Sequence, residues 1–121
     1  MSSEFVFINE VSPRDGLQNQ KTILGSESRL ELIRQLIEVN LPGIEAASFV
    51  SPKAVPAMAG AHEIIGGLVD TGECEISVLV PNMKGYELAN VAGARVISVV
   101  SFATETMKQK NINVGLKETI E

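Results

Sequence analysis

Arg14 and Asp15 stand side by side in the run Asn9-Glu10-Val11-Ser12-Pro13-Arg14-Asp15-Gly16-Leu17-Gln18-Asn19-Gln20. Asp15 offers a hard anionic oxygen suited to a divalent cation. Arg14 offers a permanently charged fork that can hold a carboxylate or a developing enolate oxygen. Gly16 lets the backbone turn sharply or come close to a ligand. The apolar run Phe5-Val6-Phe7-Ile8 precedes them and reads as a buried strand over residues 5–11. A strand that empties into a polar loop is where α/β proteins keep their chemistry. The alternative is that Arg14 and Asp15 form an exposed loop pair, since so short a motif carries little information alone.

Glu45 is the second unusual residue. It sits inside the otherwise apolar strand Gly43-Ile44-Glu45-Ala46-Ala47-Ser48-Phe49-Val50. A buried carboxylate needs a partner or it holds its proton. Arg14, at the end of the neighbouring strand, is the best-placed partner on the chain. The other reading puts Glu45 on the solvent side of an edge strand, and patterning alone leaves both open.

The elements that position these residues alternate. After a loop over 16–25, a helix begins near Ser26 as N-cap, with Leu30, Ile33, Leu36, Ile37 and Leu41 at helical spacing. Asn40 and Pro42-Gly43 stop it. The second strand follows, then Ser51-Pro52-Lys53 and Pro56. Met58, Ala61, Ile65 and Leu68 mark a helix of about three turns. His62 lies off that stripe and reads as a solvated helical histidine. Residues 76–80 form a third strand closing in Pro81-Asn82. Residues 84–92 form a short helix with Leu88, Ala89 and Ala92 as contacts and Gly93 as its stop. Residues 96–100 form a fourth strand, followed by a loop or turn over 107–113 and the start of a helix over 115–121. The order βαβαβαβ predicts an α/β fold with a parallel sheet and right-handed crossovers. All four strands then end on one side, at Arg14-Asp15, Ser51-Pro52, Pro81-Asn82 and Thr104-Glu105.

Composition narrows the partners. The chain has 121 residues, 45% hydrophobic and 21% charged, with a formal net charge of -5. That balance, without a basic run, argues against a nucleic-acid partner. Lys108 and Lys110 could still meet an anionic cofactor. No run reaches the roughly 18 apolar residues of a membrane span. No basic leader with an apolar stretch follows Met1, so a cytoplasmic location is the default expectation. The one cysteine, Cys74, excludes an intrachain disulfide and reads as a structural thiol at a strand start.

Ser12-Pro13-Arg14-Asp15-Gly16-Leu17-Gln18-Asn19 resembles the first-strand signature of 3-hydroxy-3-methylglutaryl-CoA lyases. Ile44-Glu45-Ala46-Ala47-Ser48-Phe49-Val50-Ser51-Pro52-Lys53 resembles their second-strand signature. Pro81-Asn82-Met83-Lys84-Gly85 and Lys110-Asn111-Ile112-Asn113 look like later landmarks in the right order. Leu17, where related synthases carry an acidic residue, favours the lyase branch.

The resemblance implies a metal-dependent TIM barrel, with residues 1–121 forming about its first half, four strands of parallel (β/α) units. It implies that Asp15 ligates Mg²⁺ or Mn²⁺ and that Arg14 stabilises an enolate oxygen. Glu45 would hold Arg14, Gln18 would help place Arg14 and substrate, and Asn111 would contact the CoA portion. The implied reaction is retro-Claisen cleavage of a small acyl-CoA thioester, 3-hydroxy-3-methylglutaryl-CoA, to acetoacetate and acetyl-CoA. A TIM barrel takes about 250 residues and eight strands. The family's histidine pair, its asparagine ligand and its mobile cysteine belong to later strands and have no counterpart here. The expectation is therefore a partial barrel, truncated after about four βα units and inactive alone. Its partner would be a second copy in a homo-oligomer, or the missing C-terminal half of the barrel. A non-catalytic half-barrel binding module and a related 3-hydroxyacyl-CoA lyase are the alternatives. An open-sheet flavodoxin-like domain suits the length, but no phosphate-loop glycine pattern follows the first strand.

Overall fold

A computed structural model describes residues 3–104, 106 and 107. Its order is β1 (Asn9–Glu10), a wide turn (Ser12–Gly16), α1 (Ser26–Glu38), β2 (Gly43–Ser48), a short 3₁₀ turn (Pro56–Met58), α2 (Ala61–Gly66), β3 (Glu75–Leu79), α3 (Met83–Ala92) and β4 (Val96–Ser98). The four strands pair in parallel and in sequence order, β1-β2-β3-β4. Strands in sequence order joined by helical crossovers are what one arc of a (β/α)₈ barrel contains. The α/β expectation holds.

The core lies between the sheet and its helices. Ile44, Ala46 and Val78 from the strands meet Ile33, Ile64 and Ala89 from the helices. Every residue of β2 is buried, as a central parallel strand should be. Cys74 is buried at the entrance to β3, and burial together with Glu75 pushes its thiol pKa up, away from the reactive thiolate.

Several boundaries differ from the sequence reading. The Phe5–Ile8 run is exposed, Phe5 at 84% and Val6 at 70%, and only Asn9 and Glu10 pair with β2. An apolar run becomes a buried strand only when neighbours cover it, and β1 is the sheet edge among the described residues. Ser26 is not the N-cap of α1. Gly25 takes that position, and Ser26 is the first helical residue. The expected three-turn helix divides into the 3₁₀ turn and the six-residue α2, because Gly60 at φ 84° interrupts it. Its buried residues are Ala61, as expected, and Ile64, with Ile65 only partly covered, and Leu88 of α3 is exposed. β2 and β4 stop at Ser48 and Ser98, short of Val50 and Val100, and β3 is shifted by one to Glu75–Leu79. His62 is exposed, as expected. The elements expected over 107–113 and 115–121 lie outside the described residues, apart from Met107.

The Pro81–Gly85 landmark has a packing explanation. The Asn82 side chain accepts a hydrogen bond from the Gly85 N–H at 2.8 Å and so caps α3. A Cβ on Gly85 would stand 2.7 Å from the Phe49 carbonyl oxygen and 3.1 Å from Pro81 Cδ. The helix start therefore presses on backbone at the end of β2, and no side chain fits between them. Gly85→Ala is expected to destabilise the chain by about 1–3 kcal/mol, despite alanine's better helix propensity. Gly66→Ala, where a Cβ meets nothing within 4 Å, is expected to be neutral or up to about 1 kcal/mol stabilising. Urea unfolding midpoints compare the two, and equal effects would contradict this packing.

Candidate active site

The carboxyl end of the sheet holds the charged cluster. β1 ends at Glu10, and the chain then coils into the wide Ser12–Gly16 turn rather than the open loop its composition implied. The Val11 carbonyl accepts three N–H groups, from Arg14 at 3.1 Å, Asp15 at 2.8 Å and Gly16 at 3.2 Å. The last is a π-type bond, spanning five residues. Such widened turns recur at functional sites. Pro13 is buried within the turn and has no N–H to orphan there.

This turn delivers Arg14 to Glu45, in the middle of β2. Arg14 Nε donates to Glu45 Oε1 at 2.6 Å. Arg14 Nη1 donates to Asp15 Oδ1 at 3.1 Å and to Gln18 Oε1 at 3.2 Å. Glu45 is only 7% exposed, so the solvent-facing reading of that residue is wrong. Its side chain points to the face where Arg14 waits, and the pair is shielded on both sides. Asp15 differs, because its side chain is 63% exposed. One of its oxygens is held by Arg14, and the other is open to solvent or a ligand. Arg14, Asp15, Gln18 and Glu45 thus converge as the sequence led one to expect. Asn111 lies outside the described residues.

Sequence reasoning missed two groups. Glu10 Oε1 accepts the Ser12 N–H at 3.0 Å, at the mouth of the turn. Arg29 is 1% exposed on α1, where Nη1 donates to the Ala59 carbonyl at 2.7 Å and Nε has no partner. Burial lowers its pKa. Its position four residues before Ile33, on the buried stripe, was the available signal. It ties α1 to the segment after β2, away from any open surface.

Two open clefts of about 510 and 500 Å³ lie at the other end of the sheet. Cys74 lines both, with Thr71 and Gly72 from the approach to β3. In barrel-type α/β folds, that end serves stability and the carboxyl end serves chemistry. The charged cluster is therefore the candidate site.

Among the described residues, no group of three or more His, Cys, Asp and Glu side chains could hold a metal ion. Asp15 nevertheless fits part of a magnesium shell. That ion keeps several waters and is commonly bound through one or two carboxylates plus substrate oxygens. No helix among the described residues is long and apolar enough to cross a membrane.

The family model described as HMGL-like matches residues 6–121. Mitochondrial hydroxymethylglutaryl-CoA lyase of Rattus norvegicus is 45% identical over 116 residues, covering 96% of this chain and 36% of that enzyme. The HMG-CoA lyase of Brucella melitensis superposes with a TM-score of 0.90 at 43% identity, over 98% of this chain and 42% of that one. An HMG-CoA lyase from Acinetobacter baumannii, solved in complex with coenzyme A and 3-methylmalate, gives a TM-score of 0.88 at 35% identity, over 93% and 37% of the two chains. The chain spans less than half the length of each of these relatives. With the match running through the Arg14 turn, both flanking strands and nearly all of the remaining sequence, this chain belongs to the HMGL-like family.

Proposed function

We propose that residues 1–121 form a partial (β/α)₈ domain carrying the enolate-holding corner of a hydroxymethylglutaryl-CoA lyase. The observation behind this reading is the 2.6 Å bond from Arg14 Nε to the buried Glu45, with Asp15 3.1 Å from Arg14 Nη1. Glu45 fixes the Nε edge of the guanidinium, Asp15 and Gln18 share Nη1, and Nη2 is the nitrogen these side chains leave for a ligand.

Cleavage makes three chemical demands. The substrate 3-hydroxyl must lose its proton. The C–C bond between the acetyl-CoA portion and the carbinol carbon must then break, its electron pair moving onto the thioester to give an enolate. The enolate carbon must finally take a proton. A bound Mg²⁺ or Mn²⁺, held in part by Asp15, would supply the acidity needed by the 3-hydroxyl. Arg14 answers the second demand, because a guanidinium already fixed by Glu45 meets the growing negative charge without reorganising. Gln18 supports Arg14 from the exit of the turn. The relative solved with coenzyme A supports a CoA thioester as substrate, and Asn111 is a candidate contact for it.

The test grafts residues 6–121 in place of the matching segment of the Brucella melitensis lyase and follows acetyl-CoA release from 3-hydroxy-3-methylglutaryl-CoA. The graft is expected to be active with added Mg²⁺ or Mn²⁺. Arg14→Met is expected to lower kcat by about 10²–10³-fold, the loss typical of one oxyanion-stabilising donor. Glu45→Ala is expected to lower kcat as well, by freeing Arg14. Asp15→Asn is expected to raise the metal concentration needed for half-maximal activity. The 121-residue chain alone is expected to show negligible turnover. A graft carrying Arg14→Met that keeps full activity would remove Arg14 from the reaction.

A second reading, a non-catalytic assembly module, draws on the sheet edges. Phe5, Val6, Phe7 and Ile8 beside β1 are more than half exposed, and so is Val99 after β4. Apolar, unpaired edges seek partners. Light scattering of the 121-residue chain is expected to show concentration-dependent association. A monodisperse monomer at high concentration would count against this reading.

A further inference from the structure

The Arg14–Glu45 bond demands that a turn be aimed at a strand with little tolerance. Two carboxylates stand at that junction. Glu45 receives Arg14 Nε directly, at 2.6 Å. Glu10 makes no hydrogen bond to Arg14, whose partners are Glu45, Asp15 and Gln18. Its Oε1 accepts the Ser12 N–H at 3.0 Å, where the chain leaves β1 and enters the turn. The sheet fixes the separation between the two acids. Glu10 pairs in register with Ile44, the residue just before Glu45.

We infer that Glu10 is a positioning residue that sets the aim of Arg14 by anchoring the first N–H of its turn. The Ser12 N–H is the one donor at the turn entrance that Val11 cannot satisfy. The Val11 oxygen already collects Arg14, Asp15 and Gly16, and residue 13 is a proline without a donor. Without Glu10, the Ser12 N–H is left to solvent, and the turn, whose other backbone bonds all close on Val11 itself, loses the bond that ties its entrance to β1. Two residues on from Ser12, that loss moves the guanidinium off Glu45. A charged acceptor binds an N–H more strongly than water or a neutral group does. It also needs no partner from another element, because the strand that ends at Glu10 starts the turn.

The inference deepens the lyase reading and rests on it for the meaning of the aim. The test does not, since it reads the Arg14 hydrogen bond and not turnover. In ¹H–¹⁵N spectra of the 121-residue chain, the Arg14 Nε–Hε signal is identified by its loss in Arg14→Lys. In the parent chain this signal is expected to be shifted downfield and to exchange slowly with water, as befits a proton held by a carboxylate. Glu10→Met keeps the bulk and removes the acceptor, and it is expected to speed that exchange by about ten-fold or more, the scale of one lost hydrogen bond. Glu10→Gln, whose amide oxygen still accepts, is expected to restore slow exchange. A purely structural loss would not be rescued in this way at this one proton while circular dichroism stayed the same in both variants. If Glu10→Met fails to fold, Glu10→Asp, which withdraws the oxygen by one methylene, takes its place against Glu10→Gln. Unchanged Arg14 Hε exchange in a folded Met or Asp variant, or fast exchange in the Gln variant, overturns the assignment.

Discussion

A guanidinium and a carboxylate brought together across 31 residues of chain decide how this molecule is built at its working end. Glu45 occupies the most buried strand, where an unpaired charge is costly. Its partner cannot come from β2 itself, whose other residues are Gly43, Ile44, Ala46, Ala47 and Ser48. It has to arrive from the end of the adjacent parallel strand, so β1 must pair with β2 in the observed register. A buried ion pair of this kind is poor evidence for stability, because apolar residues of similar volume often serve stability better. Its retention in so apolar a strand makes more sense as orientation: a charged fork fixed along one edge.

The turn that carries Arg14 shows what that orientation demands of the backbone. An ordinary helical start would bond each N–H to a separate carbonyl. Here one carbonyl, that of Val11, serves three donors, and the coil widens to five residues. The widening brings Arg14 to Glu45 in β2 while leaving Asp15 beside it and exposed. Arg14 thus serves two carboxylates of opposite circumstance. One is buried and committed to holding it, and the other is open and half available.

Much of this was legible because the chemistry and the periodicity agree. Glu45 in an apolar strand and Arg14 at a strand end each pose a problem that the other solves, so their pairing was one of two readings open in the sequence, and the 7% exposure of Glu45 decides for it. Alternating apolar runs and amphipathic stretches gave the parallel βα order for the same reason, since buried strands and half-buried helices have different periods. Three kinds of feature were not legible. The extent of β1 depends on which neighbours cover Phe5–Ile8, and hydropathy does not report neighbours. The division between the Pro56–Met58 turn and α2 follows from Gly60 adopting a left-handed conformation, which glycine permits but does not announce. Glu10 escaped notice because its partner is a backbone N–H, and no side-chain pattern marks such a bond.

The charges at the carboxyl end argue for what the site is suited to receive. Arg14 brings one positive charge, and Asp15 and Glu45 bring two negative ones, so the touching cluster carries one net negative charge. A site left that way favours a cation over an anion. An enolate placed against Arg14 would meet a guanidinium already shared between two acids, too little by itself to balance the new charge. A divalent cation at the open oxygen of Asp15 would reverse the sign, leaving one net positive charge to meet one developing negative charge. In the proposed reaction the buried acid would aim the fork and the exposed acid would admit the cation, and the two could not exchange places. An exposed Glu45 would lose its hold on Arg14 to water, and a buried Asp15 would exclude a hydrated divalent ion.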